Sequence, residues 1–68
     1  MKRYEVYTYI GDRAHLRYET NDINEACDIG DKIEKTSTEE FDGTILYDNL
    51  LRKWFGKHKK GSAYILSR

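Results

Sequence analysis

Two different periodicities divide the first half of this chain. From Lys2 to Ile10, β-branched and aromatic residues crowd together (Tyr4, Val6, Tyr7, Thr8, Tyr9, Ile10), which suits a pleated strand and not a helix. Gly11-Asp12-Arg13 reads as a turn. Ala14 to Thr20 then alternates Ala14, Leu16, Tyr18 and Thr20 with His15, Arg17 and Glu19, the period of two of a second strand. A three-residue loop brings both apolar sets to one face, whereas a two-residue loop sets them out of phase, because a slip of one residue flips every side chain. The expected register therefore sets Ile10 against Ala14, Thr8 against Leu16 and Val6 against Tyr18. On the other face it sets Tyr9 against His15 and Tyr7 against Arg17. It also places Glu5 opposite Glu19, an unfavourable pair.

From Ile23 to Lys35 the period lengthens to that of a helix. Ile23, Ala26, Cys27, Ile29, Gly30 and Ile33 fall within one arc, and Asn24, Glu25, Asp28, Asp31, Lys32 and Lys35 on the opposite one. Asp22 followed by Glu25 has capping-box spacing, and both carboxylates sit where the helix dipole favours negative charge. Asp28 with Lys32 and Asp31 with Lys35 are i,i+4 pairs in the favourable order. Gly30 on the inward arc costs about 1 kcal/mol against alanine, which points to close approach of a bulky sheet residue such as a tyrosine or Trp54.

Thr36 to Asp42 and Gly56 to Gly61 are the two candidate flexible stretches. Gly43 to Tyr47 reads as a third strand, and Tyr64 to Leu66 as the centre of a last one. Between them the chain has two readings: Asp48-Asn49 opens a tight hairpin into a strand from Leu51 to Phe55, or Asp48 caps a two-turn helix that ends at Gly56. The strand is preferred, since Trp54 and Phe55 suit a pleated surface. The expected fold class is α+β: a small two-layer ββαββ domain, with a possible fifth strand, in which one helix packs on one face of an antiparallel sheet.

At 68 residues the chain holds one domain, residues 1–68, near the lower size limit for a self-sufficient core. A catalytic cleft in addition to that core is hard to build, which argues against an enzyme. Cys27, alone, excludes an internal disulfide. No signal peptide or membrane-spanning run is present, so a cytoplasmic location with no membrane contact is expected.

Charge is where the sequence says most. Lysines and arginines equal aspartates and glutamates at 12 each, yet they are segregated. Met1 to Tyr18 carries +2, Glu19 to Asp48 carries −8, and Asn49 to Arg68, with no acid at all, carries +6. Separated acidic and basic surfaces bear on partners and not on fold.

Candidate chemistry is sparse. Cys27 lies on the inward arc of the helix and reads as a small buried apolar residue, not a nucleophile. His15 and His58 lack metal-ligand spacing, and Asp22, Asn24 and Asp28 lack the glycine of a calcium loop. No catalytic residue, metal site, phosphate loop or cofactor is expected. Two surfaces carry the functional expectation. One is the sheet face away from the helix, where Tyr7, Tyr9, His15 and Arg17 form a protein-binding patch for a partner or a second copy, aromatics and arginine being enriched in hot spots. The other is the basic aromatic segment Arg52, Lys53, Trp54, Phe55, Lys57, His58, Lys59 and Lys60, whose cations would neutralise phosphates while a ring stacks on bases.

The preferred reading is a non-enzymatic protein-interaction module, with nucleic-acid binding through residues 52–60 as the alternative. The acidic block offers a further surface, since −8 of charge can mimic phosphates or dock on a basic protein. Small phage-made inhibitors of nucleic-acid enzymes use that device. The layout as a whole resembles that of short phage and prophage reading frames, a likeness of arrangement carried by no motif.

Overall fold

A computed structural model describes residues 2–60, and the expected strand around Tyr64 to Leu66 lies outside them. Four strands and one helix follow in the order β1 (Tyr4–Ile10), β2 (Arg13–Thr20), α1 (Ile23–Thr36), β3 (Gly43–Asp48) and β4 (Lys53–Lys59). The strands form one antiparallel sheet in the order β2-β1-β3-β4. The helix packs against one face, so the α+β, two-layer expectation describes the molecule.

The β1–β2 hairpin departs from its expected register near the turn. Ile10 pairs with Arg13, Tyr9 with Ala14, Thr8 with His15 and Tyr7 with Leu16. The turn is thus two residues long. Gly11 supplies the positive φ of +58° that a two-residue turn with glycine first requires. The out-of-phase problem is solved by a β-bulge: Arg17 is the extra residue, after which Val6 faces Tyr18 and Glu5 faces Glu19, as expected. Leu16 and Tyr18 therefore point to opposite faces.

Asp22 caps the helix as its position implies, its carboxylate accepting from the backbone N–H of Asn24 at 2.8 Å and Glu25 at 3.4 Å. The reciprocal half of a capping box is replaced. Thr20 Oγ1 accepts from the Asp22 N–H at 3.1 Å, which leaves Glu25 to accept from the Tyr18 hydroxyl at 3.2 Å. At the other end the Ser37 N–H donates to the Ile33 carbonyl, and Lys35 meets Asp31 at 2.9 Å. The inward arc is as read: Ala26, Cys27 and Gly30 are buried, and Ile23, Ile29 and Ile33 pack against the core of Val6, Ala26, Cys27 and Leu46.

The stretch after Asp48 is strand, as preferred, but shifted. A four-residue loop (49–52) precedes β4, which begins at Lys53 and runs to Lys59 through most of the expected flexible stretch. Asp48 organises this loop. Its Oδ1 accepts from the N–H groups of Leu50 and Leu51 at 2.9 and 3.2 Å, and Arg52 takes the left-handed conformation at φ +56°. Both carboxylate oxygens of Asp48 also receive Arg3, at 3.2 and 3.0 Å. The paired guanidinium holds the Asp48 carboxyl below its ordinary pKa, and the hydrogen bond to the Asp48 carboxylate raises that of Arg3 in turn. Leu50 and Leu51, in the loop, are exposed.

Candidate interaction surface on the open sheet face

Directly paired residues of an antiparallel sheet share a face, so the register sorts the paired strand residues. Val6, Thr8, Leu46, Thr44 and Phe55 face the helix. Glu5, Tyr7 and Tyr9 of β1, Ile45 and Tyr47 of β3, Ala14 and Leu16 of β2, and Trp54 of β4 face the other way. Among the described residues no element covers that side.

Trp54 is its centre of gravity. It pairs with Tyr47 across β3–β4 and packs edge-on against both Tyr47 and Tyr7, with ring centroids 4.8 and 4.9 Å apart. T-shaped geometry sets a ring's positive edge against its neighbour's negative face, worth about 0.5–1.5 kcal/mol per pair beyond burial. The cluster is ordered yet open: Trp54 is 48 % exposed and Leu16 46 %. Trp54, Ile45, Tyr9, Ala14 and Lys57 line a shallow concavity of about 330 Å³ on this face.

Tyr9 is held differently from Tyr7. Its ring lies under the Lys57 ammonium, 5.0 Å from the centroid, and its hydroxyl approaches the His58 carbonyl at 3.4 Å. Gly43, opposite Tyr9, makes the close approach of β4 possible, since a Cβ there would lie 1.9 Å from the His58 carbonyl oxygen. Tyr7 donates to Glu5 Oε1 at 2.7 Å. That bond gives Glu5 a donor beside Glu19 and mitigates the like-charge pair.

Burial, and then the bond to Glu5, push the Tyr7 phenol up from 10.0 to about 12. The raised value means that the fold favours neutral Tyr7. Its contribution to stability is complete below the unfolded pKa near 10.0 and is lost as pH rises through about 12. In an alkaline absorbance titration, Tyr7→Phe should remove a late-ionising phenol. An unchanged late limb in that variant would count against the Tyr7–Glu5 bond.

The residues singled out from sequence divide across the sheet. Tyr7 and Tyr9 lie on the open face, but His15 and Arg17 do not join them. His15 pairs with Thr8, on the helix side. Arg17, turned by the bulge, donates to Thr8 Oγ1 at 2.9 Å and to the Glu39 carboxylate at 2.5 Å. The basic segment divides as well. Trp54 and Lys57 are on the open face, and Lys59 pairs with Gly43 there. Lys53 pairs with Asp48, and Arg52 is in the loop before it. Lys60 reaches over the Phe41 ring and to the Glu39 carbonyl. His58 turns to the helix side, where its Nδ1 meets Glu34 Oε2, the oxygen that also accepts from Thr44 Oγ1 at 2.9 Å.

Two of the four residues of the first predicted surface, Tyr7 and Tyr9, and three of the eight of the second, Trp54, Lys57 and Lys59, therefore merge into one. Leu16, Ile45 and Tyr47 were missed as members: the two-residue turn sets Leu16 opposite Tyr7, and the pairing of β3 with β1 and β4 brings in Ile45 and Tyr47. Elsewhere Cys27 is buried in the core. Among the described residues no three His, Cys, Asp or Glu side chains converge as a metal requires, and no helix is long and apolar enough to cross a membrane. Compared with protein-family models, curated proteins and solved structures, the chain gives no significant match to any of them.

Proposed function

We propose that this protein is a non-enzymatic binding module whose working surface is the open sheet face, and that the ligand of that face is a protein. The observation that carries the reading is the Tyr7–Trp54–Tyr47 cluster, whose Trp54 ring is exposed beside Leu16 on a sheet face that no element among the described residues covers. A thin two-layer domain leaves apolar rings in water there, and covering them with a protein surface recovers the burial. Aromatic rings already ordered by mutual packing lose little freedom on binding, which favours them as anchors.

Single-stranded nucleic acid is the second reading, favoured by one observation: Lys57 and Lys59 flank the same face as the exposed Trp54 ring, a stacking platform with cations beside it. Glu5 and Glu19 at the far end of that face would repel a backbone crossing it, so protein is preferred.

A photo-crosslinking residue placed at Leu16, on the face but outside the ring cluster, tests the choice in cells. Protein adducts that disappear when Trp54→Ala is added are the expected result. Adducts to nucleic acid would select the second reading, and adducts unaffected by Trp54→Ala would remove the face from consideration.

A further inference from the structure

The charges on the open face gather at two opposite corners, with Asp12 and Arg13, of opposite sign, beside Ala14 at the turn. Glu5 and Glu19 pair with one another at one corner, where β1 begins and β2 ends. Lys57 stands toward the diagonal corner, on β4, over Tyr9. The other diagonal runs from Ala14, opposite Tyr9 on β2, to Trp54, opposite Tyr47 on β4. A surface with this layout complements itself. Two copies placed face to face, with a twofold axis in the plane between them along the Ala14–Trp54 diagonal, set the acidic corner of each over the lysine corner of the other.

We infer that the partner of the open face is a second copy of this chain, joined by that twofold axis into a four-layer dimer with the helices outside. The inference rests on the open face being a protein-binding surface. A closed twofold interface needs one self-complementary patch, and a patch that is acidic at one corner and basic at the opposite one meets that need. Of the alternative twofold axes, one along the Glu19–Lys59 diagonal lays each charged corner over its own copy, and one along or across the strands sets the acids over uncharged residues, Tyr47 and Trp54 or Tyr9 and Ala14. The chosen axis makes the two sheets cross steeply, roughly at the 90° of orthogonal sheet packing. Trp54 lies near the axis and packs beside its twin, while Leu16 is carried toward the concavity floored by Tyr9 and Ile45.

The test is a charge exchange read by sedimentation and light scattering on the full chain. Wild type should dimerise as concentration rises. Glu19→Lys and Lys57→Glu should each weaken the dimer by at least about ten-fold, since each sets like charges together at both corners. An equimolar mixture of the two variants should recover wild-type affinity within a few-fold, because one corner is then native and the other reversed. Glu19 is chosen because Tyr7 bonds to Glu5 and not to it.

Wild type that stays monomeric up to roughly 1 mM overturns the dimer, as does a mixture no tighter than either variant alone. If the monomeric protein still forms Trp54-dependent protein adducts from position 16, the dimer falls and the binding-module reading stands. If it forms none, both fall. A monomer whose Trp54 is shielded from a quencher until Ile65→Asp and Leu66→Asp are introduced would put residues 61–68 of the same chain on the face, and would also overturn the dimer.

Discussion

Replacing Gly43 by alanine is expected to detach the end of β4 from the sheet. The added Cβ would stand 1.9 Å from the His58 carbonyl oxygen, 2.9 Å from its carbon and 2.7 Å from the Tyr9 hydroxyl. Tyr9 can turn aside, but a strand carbonyl cannot move alone. The Gly43–Lys59 and Thr44–His58 pairings must open to admit the methyl group. Overpacking of side chains costs about 1–3 kcal/mol, and a collision with backbone belongs at or above the upper end. A domain of this size holds only about 3–10 kcal/mol in total.

The urea midpoint should fall by a large fraction, with amide exchange in β4 accelerating before that of the β1–β2 hairpin. Gly11→Ala is the control. Its Cβ meets nothing within 4 Å, so only the left-handed φ of +58° resists it, at about 1–2 kcal/mol. If Gly43→Ala is no more damaging than Gly11→Ala, the close approach is not what the glycine is for.

Gly43 also shows why part of the fold was legible and part was not. Local chemistry reads well from sequence. Asp22 before a helix-periodic run, and the aromatic and β-branched run of β1, describe what their own backbones do, and those elements lie where expected. A glycine needed for close approach depends instead on which strand lies alongside, and Gly43 has nothing in its neighbourhood of sequence to announce His58. The bulge at Arg17 is a similar case. A strict period of two over Ala14 to Thr20 asks for one uninterrupted register, and only the choice of a two-residue turn by Gly11 makes a compensating extra residue necessary.

The surface was hidden for the same reason. Tyr7 and Trp54 are separated by most of the chain, and they meet because β3 lies between β1 and β4. Without that strand order, Tyr7 and Trp54 read as members of two unrelated surfaces. His58 was grouped with the lysines because it is flanked by them. Alternation along β4, with Gly56 at φ +64° near the irregular pairing, turns it instead to the helix side.

That buried position leads to the second large effect. Glu34 on the helix, His58 on β4 and Thr44 on β3 share one oxygen, Glu34 Oε2, in a layer where both the Glu34 and His58 side chains are less than a tenth exposed. Glu34→Ala removes the acceptor from two groups that water cannot easily reach, and losing the partner of a buried polar group costs about 1–3 kcal/mol. The cluster ties α1 to β3 and to the edge strand β4, so its loss should loosen β4 as Gly43→Ala does, by a different route. Thr44→Val, of nearly the same shape, should cost less, because it removes the donor and leaves the acceptor still bonded to His58. A double-mutant cycle over Glu34 and His58 should show coupling of about 0.5–3 kcal/mol, read from urea midpoints at neutral pH. Additive effects within error would mean that the carboxylate and the imidazole lie close together without supporting each other. β4 would then be held on the sheet by its ladder to β3 and by the burial of Phe55 against Tyr4.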